Sequence, residues 1–153
     1  MIKVFVMVSV TLSAIVIAII LKTIYLMRIR VFSDFKYLIT IFMQEVAFKK
    51  TLFESCYNSN ITKLSSYSNQ VISEYLKSKK KRYLCTKSDF FEIYDFIDSV
   101  AMGDVDYTIA TSKYYLTSIE LKLDTLEKEY KTSGLLYFKL IIIVGIGIAI
   151  LIL

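Results

Sequence analysis

Two stretches at the ends of the chain constrain it most. Val4 to Leu21 is 18 residues without a charge, and Leu135 to Leu153 is 19 residues whose one charge is Lys139. At roughly 1.5 Å of rise per residue, either stretch as a helix is about 27–28 Å long, close to the hydrocarbon thickness of a bilayer. Neither shows a polar face, so each must be sheathed in protein on all sides or given to lipid. The first run is longer than a usual signal core, has only Lys3 ahead of it, and shows no clear small-x-small cleavage site before Lys22. An uncleaved N-terminal transmembrane helix is therefore expected over residues 1–27, and a C-terminal one over 135–153.

The bases set an orientation. Lys22, Arg28, Arg30 and Lys36 follow the first run, and Lys122, Lys128 and Lys131 precede the second. The positive-inside rule then puts residues 28–134 in the cytoplasm of a two-pass cell-membrane protein, with both termini across the membrane. Lys139 is near enough to the cytoplasmic end to snorkel. Ser9/Ser13, Ala14/Ala18 and Gly145/Ala149 are small-xxx-small pairs, the spacing that lets membrane helices approach closely, on each other or on a partner.

The middle must be helical, because the chain has no proline and four glycines. All 14 acids lie between Asp34 and Glu129, so this part is nearly charge-balanced and soluble in character. Ser33 or Asp34 is expected to cap a helix whose apolar face holds Phe35, Leu38, Ile39, Phe42, Val46, Leu52 and Phe53, broken at Asn58–Asn60. Ile61, Leu64, Val71, Ile72, Tyr75 and Leu76 predict a second, weaker helix. A basic connection over Lys77–Lys87 contains Lys79, Lys80, Lys81 and Arg82. Thr86 or Ser88 is expected to cap a third helix with the stripe Phe90, Ile93, Tyr94, Ile97, Val100 and Ala101. Gly103 is the expected C′ glycine, and Asp104 the cap of a long terminal helix. That helix opens with a heptad seam of Val105, Ile109, Ser112, Leu116, Ile119, Leu123, Leu126 and Tyr130. Its joints are the Gly103–Asp104 junction and Gly134. The expected fold is all-α, a cytoplasmic helical bundle between an N-terminal and a C-terminal transmembrane helix.

Chemistry is thin. The chain has no histidine, which removes the commonest general base and His-dependent metal sites. No phosphate-binding glycine loop and no nucleophile elbow occurs. Asp95, Asp98, Asp104 and Asp106 lack the spacing of a calcium loop and read as solvated faces and a cap. Cys56 and Cys85 read as buried thiols. The expectation is a non-enzyme with no catalytic residue, metal, cofactor or small-molecule substrate. Two partner-contact candidates remain. Glu45 falls on or beside an apolar stripe, where a carboxylate either reaches solvent or Lys49, or is a polar anchor in the bundle or at a partner surface. Lys79–Arg82 is either a solvated loop or a contact for anionic lipid or an acidic partner. Nucleic acid is not expected, since four bases in a tethered loop lack a recognition fold.

The order of elements carries a resemblance. A first span and basic turn lead to an apolar helix with an internal glutamate, Leu38–Ile39–Thr40–Ile41–Phe42–Met43–Gln44–Glu45–Val46. Then come Met102–Gly103–Asp104, a long charged helix, and a last span entered through Tyr130–Lys131–Thr132–Ser133–Gly134 and reaching the final residue. Over nearly its whole length the chain resembles the stage III sporulation protein AB family of endospore-forming Firmicutes. It departs in having only Gly145 and Gly147 in the last span, and Phe48–Lys49–Lys50–Thr51–Leu52 where the family commonly has a proline-containing segment. The resemblance implies a mother-cell membrane protein of the secretion-like assembly that connects mother cell and forespore. It also implies a domain similar to the F-type platform of type II secretion, with a cytoplasmic ATPase and other membrane subunits as partners. Two other classes fit parts of the sequence: a membrane-anchored regulatory protein dimerising through the 105–130 seam, and a small pore former, against which the long ordered loop argues.

Overall fold

The structure is a computed structural model that describes residues 2–82, 84, 90–101 and 103–152, with backbone alone at 2, 3 and 152. It is all-α, with no strand among the described residues. Helix α1 covers Ile2–Lys49, α2 Phe53–Asn60, α3 Ser66–Ser78, α4 Phe91–Val100, α5 Val105–Glu129 and α6 Leu135–Ile152. A 3₁₀ turn, Ile61–Lys63, precedes α3, and a π turn, Tyr130–Gly134, joins α5 to α6 without a break.

The chain divides into two compact units. One is Met1–Met27 with Thr125–Leu153; the other is Arg28–Asp124. The second limit falls at 124/125 and not at 134/135, so the last turns of α5 belong with the apolar unit.

In the apolar unit the first part of α1 runs antiparallel to α6. Tyr25 meets Tyr130 with ring centroids 6.4 Å apart, the Lys22 ammonium lies 5.7 Å from the centre of the Phe138 ring, and Ala14 faces Gly145. Two helical stretches, Val4–Lys49 and Val105–Leu151, are long and apolar enough to cross a membrane, and only 6% and 17% of their most apolar windows are buried in the protein. A core helix would hide most of that surface. Hydroxyls along α1 turn inward to their own helix: Thr11 donates to the Met7 carbonyl, Ser13 to Ser9 and Thr23 to Ile19, at 2.6, 2.9 and 2.8 Å. The polar atoms are thereby satisfied without water.

The second unit buries one side of each of its helices. Phe42 of α1, Phe53 of α2 and Phe96 of α4 pair edge to face in succession, and Phe35 of α1 and Tyr115 of α5 each pair edge to face with Phe96, all at 5.3–5.5 Å between centroids. None of the eight seam residues of α5 is exposed, and Ser112, Ile119 and Leu126 are buried. The other five seam positions are half-buried. Ser112 contributes a buried hydroxyl that has no hydrogen-bond partner.

Several local expectations are overturned. No helix begins at Ser33 or Asp34, because residues 2–49 contain neither glycine nor proline and α1 simply continues. Asp34 instead braces the start of α3, whose N-cap is Ser65. Its Oδ2 accepts the Ser65 N–H at 2.9 Å and the Ser68 hydroxyl at 2.7 Å, at the start of α3. The break expected at Asn58–Asn60 falls earlier, at Lys50–Leu52, and Asn58–Asn60 completes α2. There Lys50 takes a left-handed conformation, φ 51°, and its N–H reaches the Val46 carbonyl at 3.2 Å. Lys79 ends α3 in the same way, with φ 53° and a 2.9 Å bond to Tyr75. These single 5→1 bonds do at lysines what the C′ glycine was expected to do at Gly103. Gly103 has no positive φ. A Cβ on it would come within 2.3 Å of the Tyr107 ring, so its bareness serves close approach. Asp104 does cap α5, accepting the Tyr107 N–H at 2.8 Å. Thr86, Ser88, Cys85 and Met102 lie outside the described residues.

Candidate partner-binding surfaces

Glu45 sits one turn before the end of α1, partly buried, with its carboxylate beside the Cys56 thiol of α2. Burial, and then this carboxylate, push the Cys56 thiol up to about 12. The thiol is therefore neutral and unreactive at any physiological pH. Asn60 closes the cluster by donating to the Cys56 carbonyl at 3.0 Å, while Lys63 donates to the Asn60 side-chain oxygen at 3.3 Å. Glu45 ties α1 to α2 on one side. On the other it shares an open groove of about 360 Å³ with Gln44, Phe48 and Lys49.

The basic segment is held to the fold. Arg82 forms a two-pronged pair with Glu74 of α3, at 2.8 and 2.7 Å. Its own N–H donates to the Tyr94 hydroxyl at 2.8 Å, and that hydroxyl donates back to the Arg82 carbonyl at 3.0 Å. Lys79 reaches Asp98 of α4 at 2.5 Å, and Asp98 also accepts the Tyr75 hydroxyl. Hydrogen bonding from Arg82 holds Glu74 below the ordinary carboxylate range. Burial pushes Asp98 up, but hydrogen bonds from Lys79 and Tyr75, with the nearby Lys79 and Lys81 charges, outweigh it and leave Asp98 low. Of the four bases, Arg82 and Lys79 clamp α3 to α4. Lys80 and Lys81 are exposed, Lys81 standing 6.0 Å from the centre of the Tyr94 ring. Glu45 and this segment lie on different elements, one against α2 and the other against α3 and α4.

Among the small residues, Ala18, Gly145 and Ala149 are buried, whereas Ser9 and Ser13 are exposed. A Cβ on Gly145 would stand 2.4 Å from the Ala14 methyl, so at this level only glycine allows the two helices their separation. Ser9 and Ser13 border a mainly apolar groove of about 440 Å³ between the helices. Gly134, the last residue of the π turn, is buried, and a Cβ on it would lie 3.2 Å from the Tyr130 ring and 3.6 Å from that of Tyr25.

Sequence reasoning missed the apolar tip of the second unit. Phe48 is 89% exposed and Leu52 71%, beside exposed Lys49 and Lys50. Leu52 was expected on the buried stripe of the first bundle helix; the left-handed turn at Lys50 throws it out instead. The available signal was Phe48 itself, a large aromatic off the Phe42–Val46 stripe and followed by two lysines. Among the described residues, no group of three or more metal-ligating side chains is gathered. Comparison with family models, with curated proteins and with solved structures yields no match.

Proposed function

We propose that this chain is a non-enzymatic membrane scaffold of a secretion-like assembly, anchored by two spans, with residues 28–124 in the cytoplasm as a docking domain. The identity of the assembly comes from the resemblance to the stage III sporulation AB family: a channel between mother cell and forespore, with a cytoplasmic ATPase on the docking domain and other membrane subunits against the spans.

One observation carries the docking role. The domain closes over its aromatic core yet leaves Phe48 and Leu52 in solvent, framed by Lys49 and Lys50. Large apolar side chains in water gain nothing for a free domain, and a basic frame suits a protein surface with an apolar socket edged by carboxylates. That Ser112, Ile119 and Leu126 of the 105–130 seam are already buried within one chain favours this reading over a seam-mediated dimer.

Co-purification of the tagged full-length chain from sporulating cells tests it. The expected result is recovery of an ATPase and small membrane subunits, with the ATPase lost from a Phe48→Asp, Leu52→Asp variant that still reaches the membrane. Recovery of neither kind of subunit with the wild-type chain overturns it.

A further inference from the structure

The π turn at Tyr130–Gly134 interrupts an otherwise regular helix running from Val105 to Leu151. A π turn holds one extra residue at a cost in hydrogen-bond geometry, and such turns concentrate where that residue has a use. Its effect here is angular. Eight residues of regular α-helix rotate about 800°, which would leave the side chains of Lys131 and Lys139 about 80° apart. With one residue absorbed in the turn, the two keep the relation of residues seven apart, about 20° from a common stripe. Both lysines line one open groove of about 420 Å³, which continues along Leu136, Leu140 and Ile143.

Both lysines are exposed. Lys131 makes a loose pair with Glu127 at 3.8 Å, with both side chains more than half exposed, an arrangement of little strength. The Thr132 hydroxyl is already donated to the Lys128 carbonyl at 2.8 Å. Side chains on a helix lean toward its N-terminus, so the Lys131 and Lys139 ammonium groups are both carried toward the Tyr130 end of the groove. The result is a cationic head on an apolar trough, at the point where α6 begins.

Resting on the reading of α6 as a membrane span, we propose that this groove binds one anionic glycerophospholipid. The phosphate sits between the Lys131 and Lys139 ammonium groups, and an acyl chain lies along Leu136, Leu140 and Ile143. The two ammonium groups select the headgroup charge; the apolar floor selects a lipid over a soluble phosphate.

The test reconstitutes the full chain in phosphatidylcholine vesicles containing spin-labelled phosphatidylglycerol or spin-labelled phosphatidylcholine, and measures the fraction of each held at the protein. Wild type should select phosphatidylglycerol by about fivefold for each lysine engaged. Lys131→Gln with Lys139→Gln should lose most of that selection, and Lys131→Arg with Lys139→Arg should keep it. Deleting Ser133 removes the extra residue and leaves the lysines seven positions apart in a regular helix, about 20° from one stripe, so this deletion should keep the selection. Lys22→Gln with Arg30→Gln removes the same net charge elsewhere and should cost far less. Equal losses from the two glutamine pairs would mean diffuse attraction to the surface and overturn the site. Displacement of the bound lipid by inorganic phosphate would overturn the lipid assignment. A chain that never enters the vesicles would instead overturn the membrane-span reading on which the site rests.

Discussion

Asp34 stands where a helix start was expected, and its carboxylate serves a start, but that of α3. It accepts the Ser65 amide and the Ser68 hydroxyl from a position in the middle of α1. Ser65 is the N-cap of α3, its hydroxyl accepting the Ser68 N–H at 3.3 Å, and the Asp34 oxygen holds that cap to α1 by taking the Ser65 amide and the Ser68 hydroxyl. Asp34→Ala should lower the unfolding free energy of the detergent-solubilised chain by about 1–2 kcal/mol, read by urea titration of circular dichroism. Asp34→Asn, which keeps an acceptor, should lose less. Equal stability of wild type and the alanine variant would remove this role. Cys56 illustrates the reverse case, a potentially reactive group silenced by burial and by Glu45.

At the scale of elements, two helix ends among the described residues are made by lysines in left-handed conformation. A residue with a Cβ held there costs about 1–2 kcal/mol, which glycine largely avoids. Lys50→Gly should therefore raise stability by up to about 1 kcal/mol, net of the extra chain entropy glycine brings to the unfolded state. Lys50→Val, β-branched and least tolerant of positive φ, should lower it by a similar amount or more. Thermal melts of the three proteins check the order; a valine variant as stable as wild type would mean the turn is not held left-handed in solution. The same turn exposes Leu52, so these variants also report whether the apolar tip depends on it.

Two tests belong to the whole molecule. Within the apolar unit, Gly145→Leu forces a side chain into the Ala14 methyl and should cost about 1–3 kcal/mol, whereas Gly147→Leu, where an added Cβ meets nothing within 4 Å, should be nearly neutral. Matching effects would show that the two helices do not pack at this level. In the other unit, Glu74 and Asp98 are both held below their ordinary values. They bind protons less readily folded than unfolded, so their stabilisation is full above the unfolded carboxylate range, near pH 4, and is lost as pH falls through the lower folded values. Thermal stability should hold down to about pH 5 and decline below about pH 4. Glu74→Gln with Asp98→Asn should flatten that decline; an unchanged slope would assign it to other carboxylates.

Composition and periodicity by themselves determined that the chain is helical, that its ends are long apolar helices, and that Asp104 caps α5, because these follow from backbone hydrogen bonding, side-chain volume and a single cap side chain acting locally. The apolar faces of Phe35–Val46 and Phe90–Val100 were legible for the same reason, and so was the seam of α5. Tertiary structure alone decided where helices stop without glycine or proline, as at Lys50. It also decided which helix start Asp34 braces, that Arg82 and Lys79 are clamped while Phe48 and Leu52 are left out, and that Lys131 and Lys139 line one groove beside a π turn. Each of these depends on what a distant segment offers, or on one residue of helical register, and neither is encoded in the neighbours along the chain.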